Sequence, residues 1–124
     1  MERTYINKLA DLESEYEKNQ RKIEEELEEV FYEKQKFGRE LENLSENYRY
    51  HYQQAEYNEP VNMSRVYHLL EQCKEDGDRV VNQTVKELEN KQEENTIHYK
   101  KQTRLIEDEL TLLKEKESKK ENEQ

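Results

Sequence analysis

The amino-terminal half of the chain places apolar residues at two positions of a seven-residue repeat. Counted from Ile6, the first and fourth positions of the repeat hold eleven apolar or aromatic residues up to Ala55. An apolar residue at every 3.5 positions over such a length is typical of a helix that keeps one stripe turned toward a partner helix. The repeat therefore predicts a helix at 3–57 and restricts the chain to a coiled coil or a helical bundle.

The composition of the chain supports the same conclusion and excludes a compact globular core. Of the 124 residues, 42% are charged and 31% are hydrophobic, and there are two glycines and one proline. Too few large aliphatic side chains remain to fill a globular interior, whereas frequent charges and rare helix breakers are typical of long helices.

The net charge of −10 limits the classes of partner and the location of the protein. Both halves of the chain are acidic, so neither presents the basic face that phosphate groups require, and we expect no nucleic-acid partner. No apolar run has membrane-spanning length, so we expect no membrane insertion. A signal-peptide pattern is also missing, and Cys73 has no internal disulfide partner. These features predict a cytoplasmic protein, or one exported without a Sec signal peptide.

A turn is predicted at 58–63, where Pro60 lies among asparagines, because proline disfavours helical geometry at the residue before it. A second helix is predicted at 64–113. Its apolar residues change phase near Gly77, which predicts a kink or stutter there, with a full break into three helices as the alternative.

The predicted fold is all-α: an antiparallel hairpin, or coiled coil, of two long helices. Residues 1–113 form its single domain, and the charged, aperiodic segment 114–124 is expected to be a disordered tail. A turn centred on Pro60 pairs residue i with about residue 120 − i.

The two helices are expected to face each other through a stripe of apolar side chains, which we call the seam. The second helix places polar residues on the seam at Asn95, Gln102 and Glu109, which lowers stability but can determine the register. The predicted apolar seam residues are Leu9, Tyr16, Ile23, Leu27, Val30, Phe37, Leu41, Leu44, Val85, Leu88, Tyr99, Ile106 and Leu113.

Several large apolar residues fall outside this predicted seam. One interpretation is that tyrosines tolerate partial exposure and simply flank the turn. The other, which the incomplete seam favours, is a second contact surface used by another chain. The residues predicted to bind a partner in this way are Leu12, Phe31, Tyr32, Tyr50 and Tyr52.

No residue pattern predicts catalysis, a cofactor or a metal site. The histidines His51, His68 and His98 lack the helical spacing that places two metal ligands on one face. A glycine-rich phosphate loop is missing, and no carboxylate lies in an apolar setting that would raise its pKa. We therefore expect no enzyme activity and no small-molecule substrate.

The aromatic segments 31–37 and 48–52, together with the size, acidity and two-helix layout of the chain, resemble one protein family. It comprises the small helical proteins encoded beside LXG-domain toxins in Gram-positive bacteria. The resemblance implies binding to the helical LXG domain, alongside a second small helical partner, and targeting of the toxin to type VII secretion. The chain lacks the Trp-x-Gly turn of the WXG100 secreted proteins. Its two Tyr-x-x-x-Glu segments, at 52–56 and 67–71, are expected by chance among nine tyrosines.

Three functions therefore follow as hypotheses. The first is an accessory or targeting factor that binds another helical protein, such as an LXG-domain toxin. The second is a self-associating coiled coil that forms a homodimer or a four-helix bundle. The third is an escort or stalk factor of another secretion apparatus.

Overall fold

A computed structural model describes residues 2–54 and 63–123 of the chain. Helix α1 spans Glu2–Gln54 and helix α2 spans Met63–Glu123, and the described residues contain no strand. The two helices pack against each other, which confirms the predicted all-α hairpin. The predicted turn lies outside the described residues, except for Met63, which begins α2.

The carboxyl-terminal segment differs from the prediction. Helix α2 continues through Lys114 to Glu123, in a segment where the sequence predicted disorder. Lysine and glutamate are good helix formers, so the loss of an apolar period does not end the helix. The side chain of Lys114 also forms an ion pair with α1, since its Nζ atom is 3.6 Å from Oε1 of Glu2.

Helix α2 is continuous through Gly77, so the alternative of three helices is wrong for the described residues. The half-buried positions change phase at this point, where two consecutive residues, Gly77 and Asp78, are both half-buried. Before this point the half-buried residues include Val66 and Leu70, and after it they include Val81 and Val85. This change of phase within an unbroken helix is a stutter.

The chain divides into two units, each of which pairs a length of α1 with a length of α2. The terminal unit combines Met1–Glu25 with Glu89–Gln124, and the central unit is Glu26–Leu88.

The register differs from the predicted pairing. In the terminal unit Tyr16 stacks on Tyr99, so that their residue numbers add to 115. In the central unit Phe37 contacts Gly77, and these numbers add to 114. Each unit therefore pairs residue i with about 115 − i instead of 120 − i, a shift of more than one helical turn. This is the register in which Tyr16 stacks on Tyr99 and Phe37 packs on Gly77.

The seam is thin. Among the described residues only Ile23 and Leu88 are fully buried hydrophobic side chains. Most of the other predicted seam residues are half-buried, but Phe37 and Leu44 are 39% and 43% exposed. A two-helix structure of this kind leaves much of its apolar surface in contact with solvent.

Candidate functional site

A cluster of polar and aromatic side chains joins the helices in the terminal unit. The rings of Tyr16 and Tyr99 are stacked, with centroids 4.5 Å apart and planes 20° from parallel. The hydroxyl of Tyr16 lies 3.2 Å from Oγ1 of Thr96, and Nε2 of Gln20 donates to the same tyrosine hydroxyl at 3.1 Å. We call these residues, with Asn19 and Asn95, the polar cluster.

The hydrogen bonds of the polar cluster have a defined direction. Oγ1 of Thr96 donates to the carbonyl oxygen of Gln92 at 3.0 Å, which uses the only hydrogen of that hydroxyl. Tyr16 therefore donates to Thr96, and Gln20 donates to Tyr16. The result is a continuous chain of hydrogen bonds from α1 to the backbone of α2.

Asn95 adds a direct link between its side chain and the opposite backbone. Its Nδ2 atom donates to the carbonyl oxygen of Tyr16 at 3.2 Å, and its Oδ1 atom accepts from Nδ2 of Asn19 at 3.5 Å. These bonds can form in only one register, because a slip of α2 would remove the asparagine from this carbonyl. A polar residue on a seam commonly specifies register in this way, at a cost in stability.

The hydrogen bonds also shift two side-chain pKa values. When Tyr16 ionises, the hydroxyl of Thr96 can turn from the Gln92 carbonyl and donate to the phenolate, and secondly the amide of Gln20 donates to it, so both lower the pKa of Tyr16 from its ordinary value of 10.0. In the central unit the hydrogen bond to Tyr67 raises the pKa of Arg49. The depression beside Tyr16, which is lined by Glu17, Gln20 and Arg21, is open to solvent.

Most of the exposed apolar surface belongs to the central unit. Among the described residues fourteen large hydrophobic side chains are exposed, and ten of them lie in Glu26–Leu88. Those ten residues are Phe31, Tyr32, Phe37, Leu44, Tyr48, Tyr50, Tyr52, Tyr67, Leu69 and Val80.

The predicted partner-binding residues do not all lie on this surface. Phe31, Tyr32, Tyr50 and Tyr52 are exposed in the central unit. Leu12 lies in the terminal unit and is half-buried, so it is not part of the exposed surface of the central unit.

The heptad count failed near Leu12 because the spacing of covered residues changes there. The heptad count places Ile6 and Glu13 on the seam, but both residues are exposed. The residues that are half-buried there are their neighbours Tyr5 and Leu12. The interval from Leu12 to the buried Ile23 is eleven residues. Eleven residues complete about three turns of a straight α-helix, so this stretch follows an eleven-residue repeat.

Sequence reasoning missed three exposed apolar residues that α2 contributes to the central unit, namely Tyr67, Leu69 and Val80. A signal for Val80 was present in the phase change at Gly77, because a stutter turns a former seam position toward solvent. Tyr67 has no such signal: its role becomes visible through Arg49 on α1, whose Nε atom donates to the tyrosine hydroxyl at 3.3 Å.

In residues 2–54 and 63–123, no group of three or more His, Cys, Asp or Glu side chains is arranged to hold a metal ion. Cys73 is exposed and has no disulfide partner. Neither α1 nor α2, as described, has the length of apolar sequence needed to span a membrane.

Comparisons with protein families, with curated proteins and with solved structures find no match to this chain.

Proposed function

We propose that this protein is a non-enzymatic interaction protein whose helical hairpin binds a helix of another protein. The observation that carries the proposal is the open seam of the central unit. Phe37 and Leu44 lie at seam positions, yet about two fifths of each side chain remains exposed. The exposed Tyr48 lies one helical turn from Leu44, and apolar patches of this kind commonly mark protein interaction sites. A third helix on the seam would cover both residues.

We further propose an LXG-domain toxin as the partner, together with a second small helical protein. Support comes from the family resemblance, whose aromatic segments 31–37 and 48–52 contribute most of the exposed apolar residues of α1. In this role the protein acts in the cytoplasm as a targeting factor for type VII secretion.

Self-association into a homodimer or four-helix bundle is the second candidate, and an escort or stalk role in another secretion apparatus is the third. The open seam supports self-association equally well, because a second hairpin would cover the same residues. The two leading candidates differ in the oligomeric state that they predict for the purified protein alone.

Light scattering after size-exclusion chromatography separates them. The proposal predicts a monomer of low thermal stability that forms a stable complex when an LXG domain from a neighbouring gene is co-expressed. A stable homodimer that does not bind the LXG domain would refute the proposed partner. The lack of any toxin or secretion gene nearby would refute it as well.

The variant Phe31→Ala/Tyr32→Ala tests the surface itself. It should weaken partner binding at least tenfold without lowering the helix content. Ile97→Ala is a matched control, because Ile97 in the terminal unit is 57% exposed and Tyr32 is 58% exposed. Equal loss of binding in both variants would contradict the assigned surface.

A further inference from the structure

One side of the central unit combines large aromatic and very small residues. On α1 the repeat position that follows the seam is occupied by Phe31, Gly38, Ser45 and Tyr52, at intervals of seven residues. Tyr67 of α2 lies on the same side, since its hydroxyl accepts a hydrogen bond from Arg49, which precedes Tyr52 by one helical turn. We call these five residues (Phe31, Gly38, Ser45, Tyr52 and Tyr67) the aromatic flank. From Phe31 to Tyr52 it is about 31 Å long.

Gly38 lies at the middle of this flank and has no packing role within the hairpin. A Cβ atom added at Gly38 would meet nothing within 4 Å, whereas one at Gly77 would meet the ring of Phe37. Glycine inside a helix is less favourable than alanine, so the hairpin alone gives no reason for a glycine here. A glycine between two exposed aromatic residues instead permits the backbone of another helix to approach closely.

The outer edges of the aromatic flank are acidic. In the described part of the chain, Glu28, Glu42 and Glu71 take part in none of the ion pairs, which join Arg79 to Asp76 and Lys114 to Glu2. The cations on this side are Lys34, which lies on the seam edge one helical turn from both Phe31 and Gly38, Arg49, which is hydrogen-bonded to Tyr67, and Lys74. The bordering carboxylates are those of Glu28, Glu42, Glu71 and Asp78.

From this arrangement we infer that the aromatic flank binds a basic amphipathic helix of another protein. Its apolar stripe contacts Phe31 and Tyr52, its backbone crosses Gly38, and Lys or Arg side chains at the edges of the stripe face the unpaired carboxylates. A second copy of this chain would instead place carboxylates against carboxylates. The inference rests on the proposed function, because it specifies the chemistry of the same partner.

Two synthetic helices test the charge of the partner. Both are about four heptads long and share one Leu/Ile stripe, but one has Lys and the other Glu at the bordering positions. Fluorescence anisotropy should show about tenfold tighter binding of the Lys peptide, which corresponds to about 1.4 kcal/mol. The difference should shrink at about 0.5 M salt, because screening weakens exposed charge pairs.

Charge-reversal variants of the protein test the same preference from the other side of the interface. Glu42→Lys/Glu71→Lys should remove the preference for the Lys peptide. The control Glu13→Lys/Glu107→Lys changes the net charge equally, at exposed residues of the terminal unit, and should preserve the preference. Equal binding of the two peptides, or equal effects of the two charge variants, would overturn the inference.

Gly38→Leu tests the close approach of the partner backbone. It should weaken binding of the Lys peptide at least tenfold while the unfolding temperature stays the same or rises. Asn43→Leu, at another exposed position of α1, serves as the control for an added leucine and should bind normally. Unchanged binding by Gly38→Leu would show that no helix crosses this glycine.

The outcomes also distinguish this inference from the proposed function. If both peptides bind equally and Phe31→Ala/Tyr52→Ala abolishes binding, the protein binds helices but the basic partner is wrong. If neither peptide binds and the chain forms a homodimer that the same alanine variant dissociates, both the inference and the proposed function are wrong.

Discussion

The ring of Phe37 on α1 occupies the space that a side chain at Gly77 of α2 would need. A Cβ atom at Gly77 would lie 2.6 Å from Cε1 of Phe37, well inside van der Waals contact. The glycine therefore serves as the hole for an aromatic knob, within a helix that continues without a break. Its role is packing between the helices, where the sequence alone indicated only a phase change.

Gly77→Ala should destabilise the protein by about 1 kcal/mol. Alanine improves helix propensity by about 1 kcal/mol, but crowding against the ring costs about 1–3 kcal/mol. Thermal or urea unfolding followed by circular dichroism measures the net effect. Gly38→Ala is the matched control, because its added methyl group meets no atom, and it should stabilise the protein by about 1 kcal/mol. If both substitutions stabilise the protein equally, Phe37 does not pack on Gly77.

Asn95→Leu should raise the unfolding temperature and make the register less uniform. The substitution removes the hydrogen bonds to the carbonyl of Tyr16 and to Asn19, and replaces them with apolar contact. Spin labels at Lys8 and Glu107, in a variant without Cys73, report the register as a distance distribution. We expect a single narrow distance in the parent and a broad or double one in the variant. A narrow distance in both would assign the register to other contacts.

Thr96→Val should cost about 1 kcal/mol and return the pKa of Tyr16 toward 10. Valine has nearly the shape of threonine but cannot accept the proton of Tyr16 or donate to Gln92. Carbon-13 NMR of the tyrosine Cζ atoms during a pH titration follows Tyr16 directly, and Tyr16→Phe identifies its signal.

The same hydrogen bonds predict how stability changes with pH. Because the pKa of Tyr16 is lower in the folded state, ionisation of Tyr16 favours folding. The contribution of this ionisation to stability is fully present above the unfolded-state pKa of about 10. It is lost as the pH falls through the folded-state pKa. The stability difference between the parent and Tyr16→Phe should therefore shift in favour of the parent as pH rises toward 10. A difference independent of pH in this range would contradict the lowered pKa.

Truncation after Leu113 should remove helical signal but little stability. Residues 114–123 are helical, and the only ion pair that they form with α1 in the described structure is the exposed Lys114–Glu2 pair. Exposed pairs of this kind contribute about 0–1 kcal/mol. Circular dichroism should show a loss of ellipticity with a nearly unchanged unfolding midpoint. An unchanged ellipticity would mean that the segment is not helical in solution.

Several features followed from local sequence. The heptad repeat predicted α1, and the second run of apolar residues predicted α2, since helix formation depends on propensity and on the spacing of apolar residues along one chain. The exposure of Phe31, Tyr32, Tyr50 and Tyr52 followed from their positions outside the repeat. The tail is helical although it has no apolar period, because its lysines and glutamates are good helix formers.

Other features depended on how the two helices meet. A heptad count treats every repeat as equal, so it could not show that Leu12 replaces Glu13 on the seam or that Phe37 and Leu44 stay exposed. The open surface of the central unit, which carries the proposed function, became visible only when the partners of each seam position were known.

The sequence by itself determined that this chain forms two long, acidic helices with surplus aromatic residues, because those properties are local. Only the tertiary structure decided the register, through Phe37 on Gly77 and through the bonds from Asn95 to the backbone of Tyr16. A knob and its hole, or a donor and its acceptor, lie on different helices. Whether they fit each other depends on both helices together, so it cannot be predicted from the repeat of apolar residues within one helix.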